Sequence, residues 1–300
     1  MRISAVFCAL MALVPFGCDQ GDWNTKQHYI RSQTIPVPIS TSALALRSTN
    51  ASVQLRVDRS IAMTTILAEF EIDSTSVAEA NDRLRASSLV PDIESNRLLL
   101  EPDLREDVSV HLVITMPDVE GVSIETANGS VSVIGASGET YVKAGNGDVD
   151  VHDQAGTVTV QAANGSISVT NPTDVLELHT EQGSISITNA MSDIRARSAN
   201  GSIDLGVQAD RTPSLQIFAS NGSISAVVGP VFTGEVDLVA DNGSTELIDA
   251  AGKVTAEVLR EDGSRHLVIG GGVNKSTLRS GNGEVRFTID SDPPADDPAG

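Results

Sequence analysis

The chain has 300 residues, with 20 Lys plus Arg against 40 Asp plus Glu and a formal net charge of −20. That balance excludes nucleic acid as a partner, because neutralising phosphates needs a basic footprint. Hydrophobic residues make up 40% of the chain but aromatics only 3%, so the core has to be filled by Val, Ile, Leu and Ala in many small equivalent layers.

Arg2 precedes an apolar run from Ile3 to Phe16, broken only by Ser4, which is too short and too early to span a bilayer. The run ends at Pro15-Phe16-Gly17-Cys18. A small residue directly before a cysteine at such a place resembles the bacterial lipoprotein signal, although Pro15 and Phe16 depart from the usual Leu and small residue. The resemblance implies that residues 1–17 are a signal peptide and that Cys18 is diacylated, which ties the chain to a membrane of the cell envelope, facing the periplasm or the cell surface. The second cysteine, Cys8, lies inside the signal, so the mature chain has no internal disulfide. Residues 18–35 are polar and irregular and read as a tether. Residues 291–300 are acidic and Pro-rich and read as a disordered tail.

Leu44, Leu46, Val53 and Leu55 flank Asn50-Ala51-Ser52 with period-two spacing, and strands are expected next at 64–72, 97–100 and 108–116. Between them Ser76-Val77-Ala78-Glu79 has the form of a capping box. Val77, Ala80 and Leu84 follow on one helical face and Pro91 closes the pattern, which predicts a short helix over about 76–87.

From residue 121 the chain repeats itself. Asn-Gly or a close relative places Gly at 129, 147, 165, 183, 201, 222, 243, 263 and 283. Four residues before the Asn position stand apolar side chains such as Ile124, Val142, Val160, Leu178, Ile217 and Val258; three after it come Val131, Val149, Ile167, Ile185, Ile203 and Ile224. Polar residues alternate with them. Each repeat is therefore strand, Asn-Gly turn, strand and a second turn. One such unit suits either an antiparallel hairpin or one coil of a parallel solenoid with Gly at a corner. Nine repeats in phase favour stacking of each rung on its neighbour, since a meander of that length would need long irregular connections. The expected fold is an all-β, single-domain parallel β-solenoid (β-helix) over 36–290, with rungs of 18–21 residues and one short helix inserted near the N-terminus. Asn at the corner is placed to hydrogen-bond the Asn of the next coil.

The Asn-Gly-Ser-Ile-Ser-Val units, the strand from Val110 to Pro117 that leads into them and the helix from Ser76 to Ala86 resemble a bacterial cell-envelope family known as "putative adhesin", with β-strand repeats. The resemblance covers about residues 44–290 and implies a β-helical body outside the cytoplasm. It carries no catalytic residues to transfer.

Alternation divides the outward side chains into two faces. Before the turn stand Tyr141 and Lys143, Thr159 and Gln161, Glu177 and His179, Arg195 and Arg197, Gln216 and Phe218. After the turn come mainly Ser, with Asp148, Asp150 and Asp204. The first face concentrates rings and positive charge in an acidic chain, so Tyr141, Lys143, Gln161, His179, Arg195, Arg197 and Phe218 are the candidate binding residues for a glycan or another envelope protein. Glu177 falls one rung from Arg195, the spacing of a cross-strand ion pair. Asp148, Asp150, His152 and Asp153 cluster but offer fewer oxygens than Ca²⁺ takes, and no phosphate loop, zinc spacing or nucleophile elbow occurs. The reading is a non-enzymatic envelope scaffold with a structural or adhesive role, without catalytic residues, metal or cofactor. The alternative is a polysaccharide lyase or hydrolase on the same β-helix.

Overall fold

The computed structural model describes residues 26–37 and 41–291. The expected signal peptide, Cys18 and most of the acidic tail lie outside the described residues. The chain divides into two compact units, one ending at Asn146 and the other beginning at Gly147. Both are built from two sheets, and the expected all-β class holds with one helix.

In the first unit one sheet runs Gln27–Val37, Thr64–Ser74, Ser109–Met116, Ala51–Val57 and Val131–Ile134; the other runs Asp92–Glu94, Arg97–Leu100, Ala43–Ser48, Gly121–Asn128 and Glu139–Asn146. Gln27–Val37 corrects the expected tether. It is an eleven-residue strand lying antiparallel along Thr64–Ser74, with Ile35 opposite Ile66. Tyr29, Ile35 and Val37 are buried, and this period-two set inside a polar stretch is what orders the strand. The sheets here are mixed, since Thr64–Ser74 also pairs antiparallel with Ser109–Met116. Ala43–Val57 does not sit outermost, as chain order suggested; its strands lie between those of 97–116 and those of 121–134.

The helix is Val77–Ala86. Ser76 Oγ accepts from the Glu79 amide at 3.3 Å, but the Ser76 amide donates to Ser74 Oγ and Glu79 pairs with Arg83, so only half of the capping box forms. Ala80 and Leu84 are buried. Val77 is 55% exposed, because it occupies the first helical position and projects beyond the packed face.

In the second unit one sheet orders its strands as 149–152, 167–170, 185–190, 203–207, 224–228, 285–289 and 245–249. The other runs 158–164, 176–182, 194–200, 215–221, 275–282, 234–242, 265–269 and 254–259. Parallel registers connect equivalent positions: Val149 faces Ile167, Ile185 faces Ile203 and Ile194 faces Leu215. The inward columns are closed, with Val160, Leu178, Ile185, Ile203 and Ile217 all under 2% exposed.

Two features depart from a simple succession of repeats. The last one, Lys275–Ile289, inserts between 215–228 and 234–249. The repeat around Gly263 is not a coil of the array at all. Val254–Leu259 and Arg265–Ile269 form an antiparallel hairpin turned at Asp262-Gly263, and Val258 is 53% exposed. Asp262 accepts from both the amide and the hydroxyl of Ser264, which closes the turn locally, as Asp-Gly between alternating strands does.

Candidate functional site

The corner triplet Asn-Gly-Ser acquires three separate duties. Asn side chains form ladders: Asn146 donates to Asn128 at 2.9 Å in the first unit, and in the second Asn221 donates to Asn200 at 3.0 Å, Asn282 to Asn221 at 2.8 Å and Asn242 to Asn282 at 3.2 Å. Gly permits close stacking. A Cβ on Gly183, at φ +148, would stand 2.1 Å from the carbonyl oxygen of Gly165, where only hydrogen fits. Ser supplies an acceptor to the next backbone: the Ser202 amide donates to Ser184 Oγ and the Ser223 amide to Ser202 Oγ, each at 3.3 Å.

The corner serines that open the face after the turn are thereby engaged in holding the array, Ser184, Ser202 and Ser223 each accepting from the next rung. Asp148 belongs to the same series, its carboxylate accepting from the Ser166 amide at 2.8 Å. Asp153 belongs to a second ladder at the opposite turn, where Asn171 donates to Asp153 at 2.8 Å and Asn189 to Asn171 at 2.9 Å. All three have positive φ, between 53° and 59°, a conformation that Asn and Asp adopt more readily than other non-glycine residues. The sequence signal for this ladder was the 18-residue spacing of Asp153, Asn171 and Asn189. Among the described residues no three His, Cys, Asp or Glu side chains converge as a metal site would require.

The outward face before the turn is different. In the second unit Gln161, His179, Arg197 and Phe218 are successive register partners, in one column across four adjacent strands. The Arg197 guanidinium lies over the Phe218 ring at 5.2 Å from its centroid, a cation–π contact. Thr159, Glu177, Arg195 and Gln216 form the neighbouring column. The expected ion pair does not form: Glu177 and Arg195 are side by side in register, yet among the described residues no salt bridge joins them. Two exposed side chains in water gain little from closing such a pair. The inserted repeat adds a residue that sequence order hid, since Arg279 follows Phe218 in the column. Arg279 is held by Asp241 through contacts of 3.0 and 3.1 Å.

Tyr141 and Lys143 lie in the first unit, on Glu139–Asn146. Lys143 is in register with Glu125, which pairs with Arg47 at 3.3 Å. Tyr141 is in register with Ser123 and lines a groove of about 480 Å³. The candidate residues are thus grouped as Tyr141 and Lys143 in one unit, and as Gln161, His179, Arg195, Arg197 and Phe218 in the other.

A family model described as Toastrack DUF4097 matches residues 104–288. Solved structures with a similar course include a "putative adhesin" from Bacteroides fragilis, at 14% identity, with 87% of this chain and 97% of that one covered and a TM-score of 0.43. A second, from Parabacteroides distasonis, has 11% identity over 86% of this chain and 96% of that one, with a TM-score of 0.40. No curated protein matches the chain.

Proposed function

The chain belongs to the Toastrack DUF4097 family, and from that premise we propose that it is a non-enzymatic adhesive module of the cell envelope. The anchor is an acyl group on Cys18, and the repeats are rungs of 18–21 residues in a β-solenoid that carries the binding surface. That surface is the outward face before the Asn-Gly turn. One observation carries the reading: Arg197 stacked on Phe218, with Arg195 on the same strand and no carboxylate paired to either arginine among the described residues. In a chain of net charge −20, such a patch offers hydrogen-bond donors and a ring to a glycan or to a second envelope protein. On the opposite face the corner hydroxyls of Ser184, Ser202 and Ser223 are already joined to the next rung, and Asp148, Asp150 and Asp204 repel anionic partners.

The test is retention of the full chain carrying Cys18→Ser, free of the acyl anchor, on a glycan array and on immobilised envelope proteins. The double substitution Arg195→Glu and Arg197→Glu should abolish retention while the thermal midpoint stays within a few degrees of wild type. Undiminished retention would refute the assignment of the face.

A further inference from the structure

The groove beside Tyr141 has a construction of its own. Two adjacent strands of the first unit, Ala43–Ser48 and Gly121–Asn128, present almost nothing outward at their start. Ala43 is in register with Gly121 and Ala45 with Ser123. On one side this bare floor meets Arg97, opposite Ala43, and Leu99, opposite Ala45. On the other side it meets Glu139, opposite Gly121, and Tyr141, opposite Ser123. The result is a trough two strands wide, or roughly 10 Å at the usual strand separation, walled by long side chains along both edges. Its volume of about 480 Å³ falls inside the roughly 300–1,000 Å³ of ordinary ligand sites. Glu120 closes it at the strand end.

We propose that this trough is a binding subsite for a neutral oligosaccharide, an inference that rests on the adhesive reading and names the ligand class for its Tyr141 end. The chemistry selects that class. A tyrosine ring at one wall provides an apolar body with a polar tip, suited to the C–H face and hydroxyls of a sugar. Glu120 and Glu139 form no ion pair among the described residues, so their oxygens are free to accept hydroxyl protons, and carboxylates accept strongly. Arg97 is likewise without an ion pair, although Glu94 is its register partner, and supplies the opposing donors. Two carboxylates against one guanidinium disfavour uronates and sulfated chains. A floor of Ala, Gly and Ser admits a flat ring and gives no pocket for a large apolar side chain.

The full chain, titrated calorimetrically with cellohexaose, xylohexaose and mannohexaose, should bind at least one of them more tightly than hexagalacturonate. Tyr141→Ala and Arg97→Gln should each weaken that binding at least tenfold. Ser123→Trp, which fills the floor from an outward position, should abolish it with the thermal midpoint preserved, and Val273→Ser, at a 90% exposed position of the other unit, should leave it unchanged. The proposal is overturned if no neutral hexasaccharide binds, if hexagalacturonate binds more tightly, or if binding ignores both Tyr141→Ala and Ser123→Trp. Retention on immobilised envelope proteins that still depends on Arg195 and Arg197 would then leave the adhesive reading standing, whereas loss of both would remove the two together.

Discussion

Asn282 donates a hydrogen bond from Nδ2 to Oδ1 of Asn221 at 2.8 Å, across 61 residues of sequence. The corner at Asn242 and the hairpin at Gly263 lie between them in the chain, and the ladder joins strands that are neighbours in space only. The Asn side chain therefore recognises whichever corner is stacked next to it, and chain order plays no part.

Asn221 both donates to Asn200 and accepts from Asn282. Its replacement by Ala removes these two side-chain bonds and a third, longer one to the Ala199 carbonyl at 3.4 Å, and Asn221→Ala should lower unfolding free energy by about 1–2 kcal/mol in urea. An unchanged midpoint would mean that the amide ladder contributes nothing to stacking.

The glycine ladder is a steric demand. A Cβ on Gly201, at φ +152, would meet the Gly183 carbonyl oxygen at 2.1 Å. Gly201→Ala should therefore cost at least about 2 kcal/mol. Gly271, with nothing within 4 Å of its would-be Cβ, should accept Ala within about 0.5 kcal/mol. Equal effects at the two sites would contradict the close approach at the corner.

Register is tested by two neighbours. Ile185 is fully buried, and Ile185→Asp places an unpartnered carboxylate in an apolar layer, at a cost of several kcal/mol, about 3 or more. Ser184 points outward and accepts from the Ser202 amide, a duty that Asp148 already performs for Ser166 with a carboxylate. Ser184→Asp should consequently stay within about 0.5 kcal/mol of wild type. Chemical denaturation of the two variants separates them.

Acid should loosen the turn that leads from 245–249 into the hairpin of 254–259 and 265–269. Partial burial pushes the Asp249 carboxyl up, but backbone amides of Val254, Lys253, Gly252 and Ala251 outweigh it and leave the group below its ordinary value. A folded-state pKa that is depressed contributes stability above the unfolded value of about 3.9 and loses it as pH falls through the folded one. Wild type should thus lose stability below about pH 4, and Asp249→Asn should be weaker at pH 7 with a flatter acid profile. Parallel profiles would exclude Asp249 as a contributor.

For the anchor, Cys18→Ser should shift the protein from the membrane to the soluble fraction on cell fractionation, since a lone acyl-modified cysteine is the proposed attachment. Undiminished membrane retention of the variant would rule out acylation at Cys18.

The face proposed to bind was legible in part. Period-two alternation placed Gln161, His179, Arg195, Arg197 and Phe218 outward, because side-chain direction in a strand depends only on parity. Arg279 was missed, since its neighbour Phe218 is 61 residues away in the chain. The trough at Tyr141 was missed for another reason: it is defined by what Ala43, Ala45, Gly121 and Ser123 lack, and absence of a side chain carries no signal until the strands are laid side by side.

The sequence by itself determined which residues turn inward, where the corners fall and that Asn and Gly occupy them, because these follow from local alternation and from backbone conformations that few residues tolerate. Only the tertiary structure decided the order in which the strands stack. Each repeat offers the same apolar columns, the same amide and the same row of unpaired backbone groups, so the edges are nearly interchangeable. Lys275–Ile289 could therefore enter between 215–228 and 234–249, and Ala43–Val57 could settle between 97–116 and 121–134, without violating any local preference. Around Gly263 the same local pattern satisfied a hairpin instead, because Asp262 bonds Ser264 within its own turn and no neighbouring corner is needed to complete it.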